Sequence, residues 1–171
     1  EAAGAQTSMK KLHLTQYRAP AGEGALEPAV PESEIWAEEA FDQGNGFWML
    51  NGVKIRLLQE KRPESESFLL VAKRGIVALT GSFGSMNVDG TKPVHFEDVV
   101  ADFFDARGEM PPMRVRAPSL EGLLQERRFW TDSTFTLGQP DGEDLEGSGE
   151  GLEGSATDGS VSMKKNPKIR Y

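Results

Sequence analysis

Pro93-Val94-His95-Phe96-Glu97-Asp98-Val99-Val100-Ala101-Asp102-Phe103-Phe104-Asp105-Ala106-Arg107-Gly108 is the stretch on which the fold class turns. Phe96, Val99, Val100, Phe103 and Phe104 fall at i, i+3, i+4, i+7 and i+8, one face of an amphipathic helix. Pro93 suits a first helical position, Glu97 and Asp98 the positive end of the dipole, Arg107 the last turn and Gly108 the residue after it. The spacing predicts a helix over 94–107. Pro111-Pro112 then imposes an extended segment, where Met113 and Val115 alternate with Arg114 and Arg116. Ser119 caps a second expected helix over 119–130, with Leu120, Leu123 and Leu124 on one face.

The residues upstream read as sheet. Phe47 to Leu50 and Val53 to Leu57 flank Asn51-Gly52, the strongest short hairpin signal. The apolar runs Phe68 to Ala72 and Ile76 to Thr80 flank Lys73-Arg74-Gly75, a three-residue hairpin loop with glycine in the left-handed position. Ser33 can cap a short helix over 34–41, which the run Asp42 to Gly46 breaks. The expected fold is therefore α+β. It is an antiparallel four- to five-stranded sheet of hairpins, the fifth strand spanning Phe135 to Leu137, with two helices on one face.

Composition divides the chain further. Residues 1–32, rich in Ala, Gly, Pro and Glu, read as an extended N-terminal arm, with a short edge strand at Lys11 to Thr15. Residues 33–138 are the globular domain. Residues 139–162 hold seven carboxylates and no Lys or Arg, an acidic Gly/Ser-rich linker. Residues 163–171 are a basic anchor peptide; with its four bases, the segment 139–171 contributes −3 to a net charge of −8. Leu-Glu-Gly-Ser recurs at 145–148 and 152–155, and its glycines argue against a helical heptad.

With no cysteine, the chain has no disulfides, thiolate metal sites or Cys nucleophile, which mildly favours a reducing compartment, an organelle interior or a virion. The first residue is Glu1 rather than Met, which suggests either a processed precursor or a cloning remnant, Glu1 to Ser8, ahead of a natural start at Met9. No cofactor and no metal is expected: neither a phosphate-cradling glycine loop nor a nucleophile elbow is present. His13 and His95 are the only histidines, so any triad would need one of them; His95 lies near Ser82, Ser85 and Asp89, with Asp98 on the same expected helix. Ser85, Asn87, Asp89 and Gly90 mimic the start of a calcium loop, but Phe96 stands where its last carboxylate belongs.

The leading functional expectation is a non-catalytic accessory or structural subunit of a larger assembly, whose partners are other protein subunits. Its partner-binding residues are Lys164, Lys165, Lys168, Ile169, Arg170 and Tyr171, positive charges with two apolar anchors. The alternative is a single-stranded nucleic-acid module, using Arg56, Arg74, Arg114, Arg116, Arg127 and Arg128 around Trp130, although net acidity opposes it. A small hydrolase with an unrecognised site is third.

Overall fold

The computed structural model describes residues 8–18, 30–60, 62, 65–81, 85–139 and 146–170. Ten strands account for most of them: β1 (Ser8–Arg18), β2 (Val30–Gly44), β3 (Phe47–Leu58), β4 (Glu66–Thr80), β5 (Asn87–Val88), β6 (Val94–Phe103), β7 (Met113–Leu123), β8 (Arg128–Gly138), β9 (Glu146–Ser155) and β10 (Val161–Arg170). Every pairing is antiparallel. The order is β1-β2-β3-β4-β6-β7-β8-β9-β10, with the short β5 beside β4.

This long meander curls so that one face packs against itself. Phe68 of β4 stacks on Phe129 of β8 with ring centroids 4.1 Å apart, although β6 and β7 lie between those strands in the sheet. Phe103 of β6 meets Phe68 edge-on at 5.0 Å. The buried set runs from Leu12 in β1 to Leu152 in β9, so both halves of the sheet contribute to a single core. Each such ring gains roughly 1.5–3 kcal/mol from leaving water.

Side-chain alternation is interrupted along one line that crosses six strands. Lys10-Lys11 in β1, Glu38-Glu39 in β2, Asn51-Gly52 in β3, Lys73-Arg74 in β4, Glu97-Asp98 in β6 and Pro118-Ser119 in β7 each turn two successive residues away from the core. Lys11, Gly52 and Asp98, on alternate strands of this seam, take φ of 55°, 64° and 54°. The left-handed residue lets the strand continue while its facing changes phase. On either side the ladder is regular: Val53 pairs with Ala72 and Asn51 with Arg74; Val99 pairs with Ala117 and Glu97 with Ser119.

The seam overturns the α+β expectation. Among the described residues there is no helix. The segment expected as helix 94–107 is β6 followed by a turn, and the one expected over 119–130 is the end of β7, a turn and the start of β8. Phe96 and Val99 are three apart because Glu97 and Asp98 both face outward, so a phase-shifted strand reproduced the helical spacing. The segment expected as a short helix over 34–41 lies within β2. The two expected hairpin loops are mid-strand as well, since Asn51-Gly52 lies inside β3 and Lys73-Arg74-Gly75 inside β4. The β2–β3 turn uses the other Asn-Gly pair, Asn45-Gly46, with φ of 57° and 82°.

The arm and tail of that expectation are also strand where they are described. Residues 8–18 form β1, and residues 146–170 form β9 and β10. One glycine of β9 is covered by a phenyl ring: a Cβ on Gly154 would lie 2.6 Å from the Phe103 ring.

Candidate interaction surfaces

A meander has two outer strands. Among the described residues, no strand pairs with the far side of β1 or of β10. Such edges present unpaired N–H and C=O groups, which pair with another chain unless blunted. β1 carries Lys10, Lys11 and Arg18 and no carboxylate; β10 carries Lys164, Lys165, Lys168 and Arg170 and no carboxylate. Each basic edge is backed by an acidic neighbour. β2 holds Glu32, Glu34, Glu38, Glu39 and Asp42, and β9 holds Glu146, Glu150 and Glu153.

The residues expected to bind partners lie on β10 and beyond. In its ladder Lys165 stands opposite Glu150, Lys168 opposite Ser148, Ile169 opposite Gly147 and Arg170 opposite Glu146, with the register shifting between Lys165 and Lys168. That interval holds Asn166-Pro167, and proline, lacking an N–H, is at home on an edge. Lys164 belongs to the same strand, and Tyr171 lies outside the described residues.

The arginines expected to form a nucleic-acid patch do not converge. Arg56 pairs with Glu66 at 3.0 Å and with Glu34 at 3.5 Å. Arg74 lies 3.6 Å from Glu97, and Arg128 lies 3.7 Å from Glu153 with its guanidinium 5.3 Å from the Trp130 ring. Arg114 forms a two-pronged pair with Asp102, Nε to Oδ1 at 2.7 Å and Nη2 to Oδ2 at 2.8 Å. Arg116 is exposed on the same face, opposite Thr136. Arg127 is not on that face at all; it is 5% exposed, between β7 and β8. It donates to the Leu58 carbonyl at 2.7 Å and the Ser67 hydroxyl at 3.2 Å, fastening the β7–β8 turn to the β3–β4 end.

The Arg114–Asp102 pair has the strongest geometry on this face. Its hydrogen bonds hold the guanidinium above its ordinary pKa against the opposing effect of burial. Asp102 is 6% exposed, so removing the cation strands a carboxylate with little water. Arg114→Met is expected to cost about 2–3 kcal/mol in denaturant unfolding, discounted for the partial exposure of the arginine. The double variant Arg114→Met/Asp102→Leu should recover most of that loss. A single variant as stable as the parent would show that the pair contributes nothing net.

The histidines and the loop around Asp89 also have plain roles. His95 Nδ1 lies 2.9 Å from Glu121 and its Nε2 3.8 Å from Glu97, a surface cross-strand contact; Ser82 lies outside the described residues. His13 bonds Glu34 at 3.0 Å and stacks on Trp36 with centroids 4.9 Å apart. Asp89 accepts from the Thr91 hydroxyl at 2.6 Å and from its backbone N–H at 3.1 Å, and these bonds hold its carboxyl below the usual range. That is a turn cap where the calcium pattern was weighed. Among the described residues no cluster of three His, Cys, Asp or Glu is placed to hold a metal.

One cleft, of about 220 Å³, opens where β1, β2, β5 and the β7–β8 turn meet. Gln16 donates to the Val88 carbonyl at 2.9 Å and Ser33 donates to Gln16 at 3.2 Å, so its polar groups clasp the curled sheet. The feature missed in the sequence is Lys10-Lys11. Its signal was present as Lys-Lys followed by Glu-Glu at 38–39, but only the register shows that the two doublets are adjacent.

The architecture defined by these strands is an all-β jellyroll-like curl in which, among the described residues, neither outer strand is paired on its far side, while Gln16 near the end of β1 reaches β5. Among solved structures it is similar to LptH of Pseudomonas aeruginosa, described as the LptA-homologous periplasmic component of the conserved lipopolysaccharide transport device. The two share 10% sequence identity with a TM-score of 0.55, over 81% of this chain and 94% of that one. At that identity the likeness is one of fold. No protein-family model and no curated protein matches the chain. Among the described residues no helix is long and apolar enough to cross a membrane.

Proposed function

We propose that this chain is a non-catalytic subunit of a larger transport assembly, joined to its neighbours through the free edges of β1 and β10. The observation that carries the reading is the pair of unpartnered outer strands on a single meander. A sheet left open at both ends is suited to having its ladder continued by another chain on either side. The residues Lys164, Lys165, Lys168, Ile169, Arg170 and Tyr171 form the docking end in this reading. The likeness to LptH, itself a component of a transport device, supports it.

We also infer a periplasmic location, as for LptH. A chain without cysteine is as compatible with an oxidising compartment as with a reducing one.

A photo-crosslinking amino acid placed in the producing cells tests the subunit reading. At Thr15 in β1 and Lys168 in β10 it should trap discrete protein partners, whereas at exposed Arg116 in mid-sheet it should trap none. Equal trapping at all positions, or none at the edges while the chain runs as a free monomer, would overturn the subunit reading.

A further inference from the structure

We propose that the β1 edge pairs with an acidic extended segment of a different protein, and that the two basic edges of this chain refuse one another. This rests on the edge-docking reading and names its partner.

The argument begins on the seam. Read across the sheet from its edge, the outward doublets are Lys10-Lys11, Glu38-Glu39, Asn51-Gly52, Lys73-Arg74 and Glu97-Asp98. Their signs run positive, negative, neutral, positive, negative. Neighbouring doublets carry opposite signs: Lys10 stands opposite Glu39 in the β1–β2 register, and Arg74 lies 3.6 Å from Glu97 across β4 and β6. Opposite charges facing each other across strands stabilise a sheet, and like charges facing each other destabilise it. Beyond β1 the pattern stops on a positive doublet that is exposed. The strand that continues it favourably carries carboxylates there.

A second copy of this chain cannot supply them. Its own outer strands are β1 and β10, and together these hold Lys10, Lys11, Arg18, Lys164, Lys165, Lys168 and Arg170 without one Asp or Glu. A joint of β1 with β10, or of either strand with itself, brings together two strands that carry positive charge and no carboxylate. Edge lysines are a known defence against edge-to-edge pairing. Here the same charges make the defence selective, closed to the chain's own edges and open to an acidic strand. β2, the partner on the inner side of β1, carries five carboxylates and pairs in antiparallel register, so an acidic strand is compatible with β1.

The test uses the full chain and three fluorescein-labelled peptides of strand length, identical except for a central Glu-Glu, Gln-Gln or Lys-Lys. Fluorescence anisotropy should show the Glu-Glu peptide binding about tenfold tighter than the Gln-Gln peptide, as a few cross-strand charge pairs would give. The preference should fade at high salt, because the charges are exposed. Lys10→Gln/Lys11→Gln, checked by circular dichroism for an intact sheet, should bind the Glu-Glu and Gln-Gln peptides equally. Equal binding of all three peptides to the parent chain overturns the acidic partner while leaving edge docking in place. No binding by any of them, with the chain monomeric in sedimentation, removes edge docking as well. Head-to-tail oligomers at low salt, crosslinked from β1 to β10, overturn the refusal of self-pairing. Binding to phosphatidylglycerol vesicles without binding to the Glu-Glu peptide assigns the lysines to a lipid surface and overturns the proposal.

Discussion

Deleting Asp98 should abolish cooperative folding. The residue is one of the two outward positions that shift β6 from one phase to the other, and β4 and β7 make the same shift beside it. With it gone, β6 can match its neighbours on one side of the seam only. If Val99, Ala101 and Phe103 keep their places, Phe96 moves into an outward slot and Val94 follows it. Both are at most 1% exposed in the native sheet, and losing their burial costs roughly 3–6 kcal/mol, a large part of the stability of a domain this size. The control is one extra glycine beside Gly108, in the exposed turn between β6 and β7, where insertion disturbs no ladder. Thermal melts by circular dichroism should show a sharp transition for the insertion and none for the deletion. A deletion variant that melts like its parent would mean that the seam does not set the register.

Phe129→Ala is the second large effect. The ring is fully buried, stacks on Phe68 at 4.1 Å and stands edge-on to Phe103 at 6.4 Å, so it joins the two halves of the curl. It also covers its cross-strand partner Gly122, where a Cβ would come within 2.6 Å of the ring. Truncation opens a cavity and uncovers a strand glycine at the same point. The expected loss is about 3–5 kcal/mol. That corresponds to a melting temperature lower by roughly 6–20 °C for a chain of this length. Phe129→Leu, which keeps most of the volume, should lose less than half as much. A loss below about 1 kcal/mol for the alanine variant would show that the curl closes without the phenyl stack.

Much of the sheet was legible in the sequence, and the reason the rest was not is local. The apolar runs at 68–72 and 76–80 were read as strand, which they are, but as two strands rather than one. Lys73-Arg74 supplied two outward residues in a row, and a pair of outward residues between apolar runs looks the same whether the chain reverses or continues. The spacing of Phe96 and Val99 misled for the same cause. A phase shift is decided by neighbouring strands, and a window along one strand does not contain them. Asn-Gly occurs twice, at 45–46 and at 51–52; both pairs use left-handed backbone, yet only the first turns the chain. The candidate docking end was legible because charge needs no partner to be counted. Its counterpart on β1 was hidden until the register set it at the opposite edge.

The order of the strands has a consequence in time. Apart from the short excursion of β5, each strand pairs with the strand before it and the strand after it in the chain. No strand has to be inserted between two that are already joined. Connections between sheet partners run from two to thirteen residues, so closing each hairpin costs modest entropy, and the contact of Phe68 with Phe129 arises only when the sheet curls. A ribosome delivering the chain from its N-terminus therefore releases strands in the order in which the sheet can add them. The slow step falls at the end, when the arrival of β8 and β9 allows the growing sheet to roll onto its own apolar face.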